Sequence, residues 1–107
     1  MKYFTVRQNN SGGYFINNDY VGEYLCVEAK NAEDAEDRIR TITEDYSDYC
    51  ECCGERWPLW LSDNDGLDYP NDGYGDPLNN ETRFFEKDGK AVIYKLDGSI
   101  EYFYRSN

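Results

Sequence analysis

The sequence predicts an α+β fold: an antiparallel sheet with one helix packed on a face. Three observations carry this reading. Alternating or aromatic segments open and close the 107-residue chain, and one amphipathic run lies between them. A long stretch without periodicity, Tyr46 to Asn80, follows that run. At this length the chain reads as a single domain, residues 1–107, with one small core.

The elements follow in order. "KYFTVRQ" (Lys2 to Gln8) alternates and reads as a strand. "NNSGG" is turn chemistry, so "YFIN" (Tyr14 to Asn17) is expected as its hairpin partner. "EYLCVEA" (Glu23 to Ala29) is a third strand, with Leu25, Val27 and Ala29 on one face and Tyr24, Cys26 and Glu28 on the other. "NAEDAEDRIRTI" is the helix. Asn31 suits the N-cap, and Glu33 and Asp34 suit the positive end of the helix dipole. Ala32, Ala35, Ile39 and Ile42 make its apolar stripe, and Arg38 and Arg40 lie toward the C-terminal end. Two Asp-Gly pairs, Asp88-Gly89 and Asp97-Gly98, predict tight type I′ turns. They divide the C-terminal third into a three-stranded meander: Arg83 to Lys87, Lys90 to Leu96 and Ser99 to Tyr104. The expected core joins Leu25, Val27, Ala35, Ile39, Ile42, Val92 and Tyr94.

Charge narrows the function. The formal net charge is −11, and residues 44 to 76 hold ten carboxylates against Arg56 alone, so −9 of it falls in about a third of the chain. Such a field repels nucleic acid and attracts basic protein surfaces. Within it, Asp63, Asp65, Asp68, Asp72 and Asp76 are the candidate partner-binding carboxylates. The competing reading is that they serve solubility alone. No apolar run is long enough to span a membrane, and "MKYFTVRQ" lacks the apolar centre of a signal peptide. The expected location is the cytosol, where thiols stay reduced.

"DYCECCGERWPLW" (Asp48 to Trp60) holds three of the four cysteines. Cys50 and Cys53 have C-x-x-C spacing followed by Gly54, which suits a turn aiming two thiolates at one zinc ion. Histidine is absent from the chain, so Cys52 and Cys26 are the remaining thiol candidates. A helix of about a dozen residues, rising about 1.5 Å each, returns the chain to the level of Cys26. The alternative is that the cysteines are small buried hydrophobes. A redox pair is disfavoured, because "CECCG" follows a helix instead of opening one. In "WPLWL", Trp57, Leu59, Trp60 and Leu61 read as core folding back on the sheet, or one tryptophan, Trp60, anchors a partner. "DNDGLDYPNDGYGD" lacks EF-hand spacing and a closing glutamate. No histidine base, nucleophile elbow or phosphate-binding glycine loop is present, so no enzyme is expected.

"VRQNNSGGYF" and "VEAKNAEDAEDRIRTITEDYSDYCECCGERW" resemble small acidic proteins carried by phages and prophages of Gram-positive bacteria. The resemblance covers about the first sixty residues. It implies a phage-encoded inhibitor of a host defence effector acting in the bacterial cytosol. An anti-CRISPR protein that binds a Cas9-type nuclease and blocks nucleic-acid loading is the prominent case. The alternative is a structural or accessory zinc-binding module with no inhibitory role.

Overall fold

The computed structural model describes residues 1–9, 16–46, 49–50, 54–79, 81–82 and 89–104, with the backbone alone for 46, 49–50 and 54–55. The order is β1 (Lys2–Arg7), β2 (Tyr24–Ala29), α1 (Ala32–Thr43), β3 (Tyr49–Cys50), β4 (Gly54–Glu55), β5 (Lys90–Tyr94) and β6 (Ile100–Tyr104). Single 3₁₀ turns occupy Glu44–Tyr46 and Asp63–Asp65. The fold is α+β, one helix against a four-stranded mixed sheet of order β1-β2-β5-β6.

The expected all-antiparallel sheet is corrected at its centre. β1–β2 and β5–β6 are antiparallel, but β2 and β5 run parallel, with Leu25 opposite Val92 and Cys26 opposite Ile93. A parallel pair needs a long crossover, and α1 with the central segment supplies it. It also needs cover on both faces. β2 and β5 have it: each is buried nearly throughout. The unbroken "AVIY" of β5 was the sign of this double burial. The expected hairpin of β1 with Tyr14 to Asn17 is described only at its last two residues. β1 pairs with β2 along one edge, Ile16 and Asn17 lie outside any strand, and Tyr14 and Phe15 lie outside the described residues. The expected strand Arg83 to Lys87 likewise falls outside them.

Side-chain alternation splits the core in two. On the helix side Phe4, Val6, Leu25, Val27 and Val92 pack with Ala32, Ala35, Ile39 and Trp57, and Ile42 and Tyr94 are only partly buried at its margin. On the other side Tyr24, Cys26, Ala91 and Ile93 pack with Leu78. The two faces of β2 are thus those read from the sequence. Asn31 caps α1 as expected, its side chain accepting from the Asp34 amide at 2.9 Å.

The β5–β6 connection is not a two-residue turn. Lys95 and Ser99 close it, the Gly98 amide donates to the Lys95 carbonyl at 3.2 Å, and Gly98 has φ 91°. This is a three-residue loop in which glycine takes the left-handed position. Asp97 holds the loop by accepting from the Ser99 amide and hydroxyl at 2.8 and 2.6 Å.

Candidate functional site

The central segment is tied down by polar side chains along its length. Asp63 accepts from the Ala32 amide at the start of α1, at 2.9 Å. Glu36 of α1 accepts from the Leu61 amide at 3.1 Å. Leu67 exchanges both backbone hydrogen bonds with Tyr3, at 2.7 and 3.1 Å, and Asn71 donates to the Tyr3 carbonyl at 3.1 Å. The Arg56 carbonyl accepts from the Asn9 amide at 2.7 Å, and its buried guanidinium donates to the Gln8 side chain at 2.9 Å. Gln8 in turn bonds Ile16 and Gly22. The segment therefore forms a fixed wall along the outer edge of β1. A loop of this length persists in a compact domain only when its backbone is so satisfied.

A cleft of about 450 Å³ opens between that edge and this wall. Thr5 and Arg7 line one side, and Trp60, Asp65, Asp72 and Tyr74 line the other. The two tryptophans divide the roles that the sequence left open. Trp57 is 3% exposed within the helix-side core, whereas Trp60 is 91% exposed at the cleft. Leu59 and Leu61 pack partly against the core.

The five candidate carboxylates do not form one uniform surface. Asp63, Asp65, Asp68 and Asp76 are exposed, and the first three also hold local structure. Asp65 accepts from the Ser62 amide at 2.8 Å, and Asp68 pairs with Lys2. That ion pair holds the fully exposed Asp68 carboxyl below its usual range, chiefly through the Lys2 hydrogen bond. Asp72 corrects the expectation of an exposed contact: it is only 2% exposed. One of its oxygens accepts from the Tyr74 and Asp76 amides at 2.8 and 3.2 Å, while the other has no hydrogen-bond partner among the described residues.

Sequence reasoning missed Tyr74 and the Arg7–Glu23 pair. Tyr74 is 75% exposed and sits between Gly73 and Gly75, both at positive φ. An aromatic flanked by two glycines in a polar loop was the available signal. Arg7 donates to the buried Glu23 carboxylate at 2.9 and 2.8 Å, and nothing in the spacing of the two residues marks this.

Cys50 lies in the backbone pair β3–β4, opposite Gly54. Its side chain, with Cys52 and Cys53, lies outside the described residues. Cys26 is wholly buried in the apolar cluster on the sheet face away from α1. Among the described residues, no three Asp, Glu or Cys side chains come together as a metal site. Burial pushes the Cys26 thiol up to about 11 from 9.0, and the Tyr24 phenol up to about 12 from 10.0. Both groups hold their protons more tightly in the folded state. Their contribution to stability is complete below pH 9. It is lost as pH rises, through 9 to 11 for Cys26 and 10 to 12 for Tyr24. Native protein at pH 7.5 should therefore leave Cys26 unmodified by iodoacetamide, and its melting temperature should fall steeply above pH 9. Peptide mass mapping with and without denaturant checks the first, and melting curves across that range check the second.

Among the described residues no helix is long and apolar enough to cross a membrane. Residues 1–107 match the family described as a domain of unknown function (DUF7296), and the chain belongs to that family. No curated protein and no solved structure matches it.

Proposed function

We propose that this chain is a non-enzymatic protein-binding module that docks its acidic central segment onto a basic surface. The observation that carries the reading is Trp60, 91% exposed beside carboxylates on a segment otherwise fixed to β1 and α1. An exposed indole on a rigid support loses little freedom on binding, and tryptophan is favoured at the energetic centre of interfaces. The charge of −9 between residues 44 and 76 supplies the long-range attraction. The resemblance to phage-carried proteins gives the partner its class: a host defence effector whose basic groove holds nucleic acid, a Cas9-type nuclease being the case to test. In that role the module blocks nucleic-acid loading. Gel filtration with a guide-free Cas9-type nuclease should give a complex that excess guide RNA prevents. No complex at low salt, or one indifferent to guide RNA, would count against this partner and mode.

The second reading, a structural or accessory zinc module, has its own support. Cys50 stands opposite Gly54 in the β3–β4 backbone pair, and its C-x-x-C spacing to Cys53 suits two thiolates on one ion. Zinc held by Cys50 and Cys53, with Cys52 as a third thiol, would stabilise either role. Cys26 fits less well, since its apolar surroundings favour the thiol over the thiolate. The expected content is about one zinc per chain, and removing it should lower the melting temperature. Elemental analysis of protein purified without chelator checks this, and a zinc-free preparation with an unchanged melting temperature would end it.

A further inference from the structure

We propose that the cleft beside β1 receives an arginine side chain of the partner protein. This rests on the protein-binding reading above and specifies its anchor. The volume, about 450 Å³, is near the lower end of small-ligand sites, which span roughly 300–1,000 Å³. It suits one long side chain.

Three features of the walls select the chemistry. The first is Asp72. It is buried, one of its oxygens is occupied by two loop amides, and the other lacks a hydrogen-bond partner among the described residues. A buried carboxylate oxygen in that state calls for a donor, and a cationic donor above all. Arg7 on the same wall pairs with Glu23 at 2.8 Å, and Asp65 adds a second carboxylate to the lining beside Asp72.

The second is the aromatic pair. Trp60 and Tyr74 are both largely exposed and both line the cleft. Aromatic faces at an acidic site favour a flat, delocalised cation. The third is the backbone of Thr5. Gln8 bonds Glu23 on the β2 side, and Tyr3 bonds Leu67 on the outer side. By that alternation the N–H and carbonyl of Thr5 point outward from the sheet, toward the central segment. A methyl group on Gly73 would stand 3.9 Å from the Thr5 oxygen, so the loop lies within ordinary van der Waals reach of that carbonyl. A guanidinium offers five donors in a plane and a face to stack, and so satisfies carboxylates, carbonyl and rings together. An ammonium offers three donors and no face.

The test uses the full chain and three peptides: acetyl-Gly-Arg-Gly-amide, its lysine counterpart and its citrulline counterpart, which keeps the shape without the charge. Backbone amide spectra locate the site, and the same shifts followed through a titration report affinity for wild type and every variant. The arginine peptide should shift the amides of Thr5, Trp60, Asp72 and Tyr74. It should bind more tightly than the lysine peptide and at least about tenfold more tightly than the citrulline one. Trp60→Ala and Asp72→Asn should each weaken it severalfold. Because Asp72 is buried, Asp65→Asn provides the same charge test at an exposed position. Equal affinity for arginine and citrulline, or shifts confined to other surfaces, would overturn the proposal. If no arginine peptide binds while a basic partner still binds with strong salt dependence, the arginine anchor fails and the protein-binding reading stands. If neither binds, both fail.

Discussion

Replacing Trp57 with alanine should destabilise the protein by about 3–5 kcal/mol, whereas Trp60→Ala should change stability by less than about 0.5 kcal/mol. The two indoles lie three positions apart, and their environments are opposite. Trp57 is 3% exposed among Phe4, Val6, Ile39 and Val92 of the helix-side core, so its removal leaves a cavity beside the joint between sheet and helix. Trp60 is 91% exposed, so its removal leaves no cavity. Chemical denaturation of the two variants measures both effects. Similar losses would show that Trp60 packs against the fold and is not held out for a partner.

How far this contrast was legible from the sequence depends on the kind of information needed. α1 was readable because its signals are local. Asn31, the acidic first turn and the Ala32, Ala35, Ile39 stripe lie within one segment, and each did what its spacing implies. The two faces of β2 were readable for the same reason. The parallel pairing of β2 with β5 was not, because register between strands some sixty residues apart leaves no local trace. Only the continuous apolar run of β5 hinted at it. The hairpin at Asp97-Gly98 was placed correctly, but its loop length was not, since Asp-Gly serves both a two-residue turn and a longer loop with glycine in the left-handed position. At the candidate site, composition gave the charge but not its disposition. Nothing around Asp72 in the sequence separates it from Asp76, yet one is buried and the other exposed. The difference arises from the amides of Tyr74 and Asp76 folding onto the Asp72 carboxylate.

The second large effect is expected on association. Changing Asp63, Asp65 and Asp68 together to asparagine removes three charges from the segment and keeps side-chain oxygens able to accept from the Ala32 and Ser62 amides. The Lys2 ion pair of Asp68 is lost, but both side chains are exposed and solvent screens their attraction. The fold should therefore survive. Association with a basic partner should slow by roughly three- to tenfold at low ionic strength, with little difference at high salt, because the steering field is screened beyond about 8 Å at physiological ionic strength. If the carboxylates serve solubility alone, the triple variant will bind at the wild-type rate and precipitate more readily. Stopped-flow rates at two salt concentrations separate these outcomes.

If the acidic surface steers this module to a basic partner and Trp60 then holds it there, the two steps separate in a salt series of association and dissociation rates for wild type and Trp60→Ala, against the guide-free Cas9-type nuclease. Association should slow steeply with salt, and by the same slope, for both proteins. Dissociation should be faster for Trp60→Ala by about tenfold or more, as for a residue at the centre of an interface. Association insensitive to salt, together with equal dissociation rates for the two proteins, would contradict it.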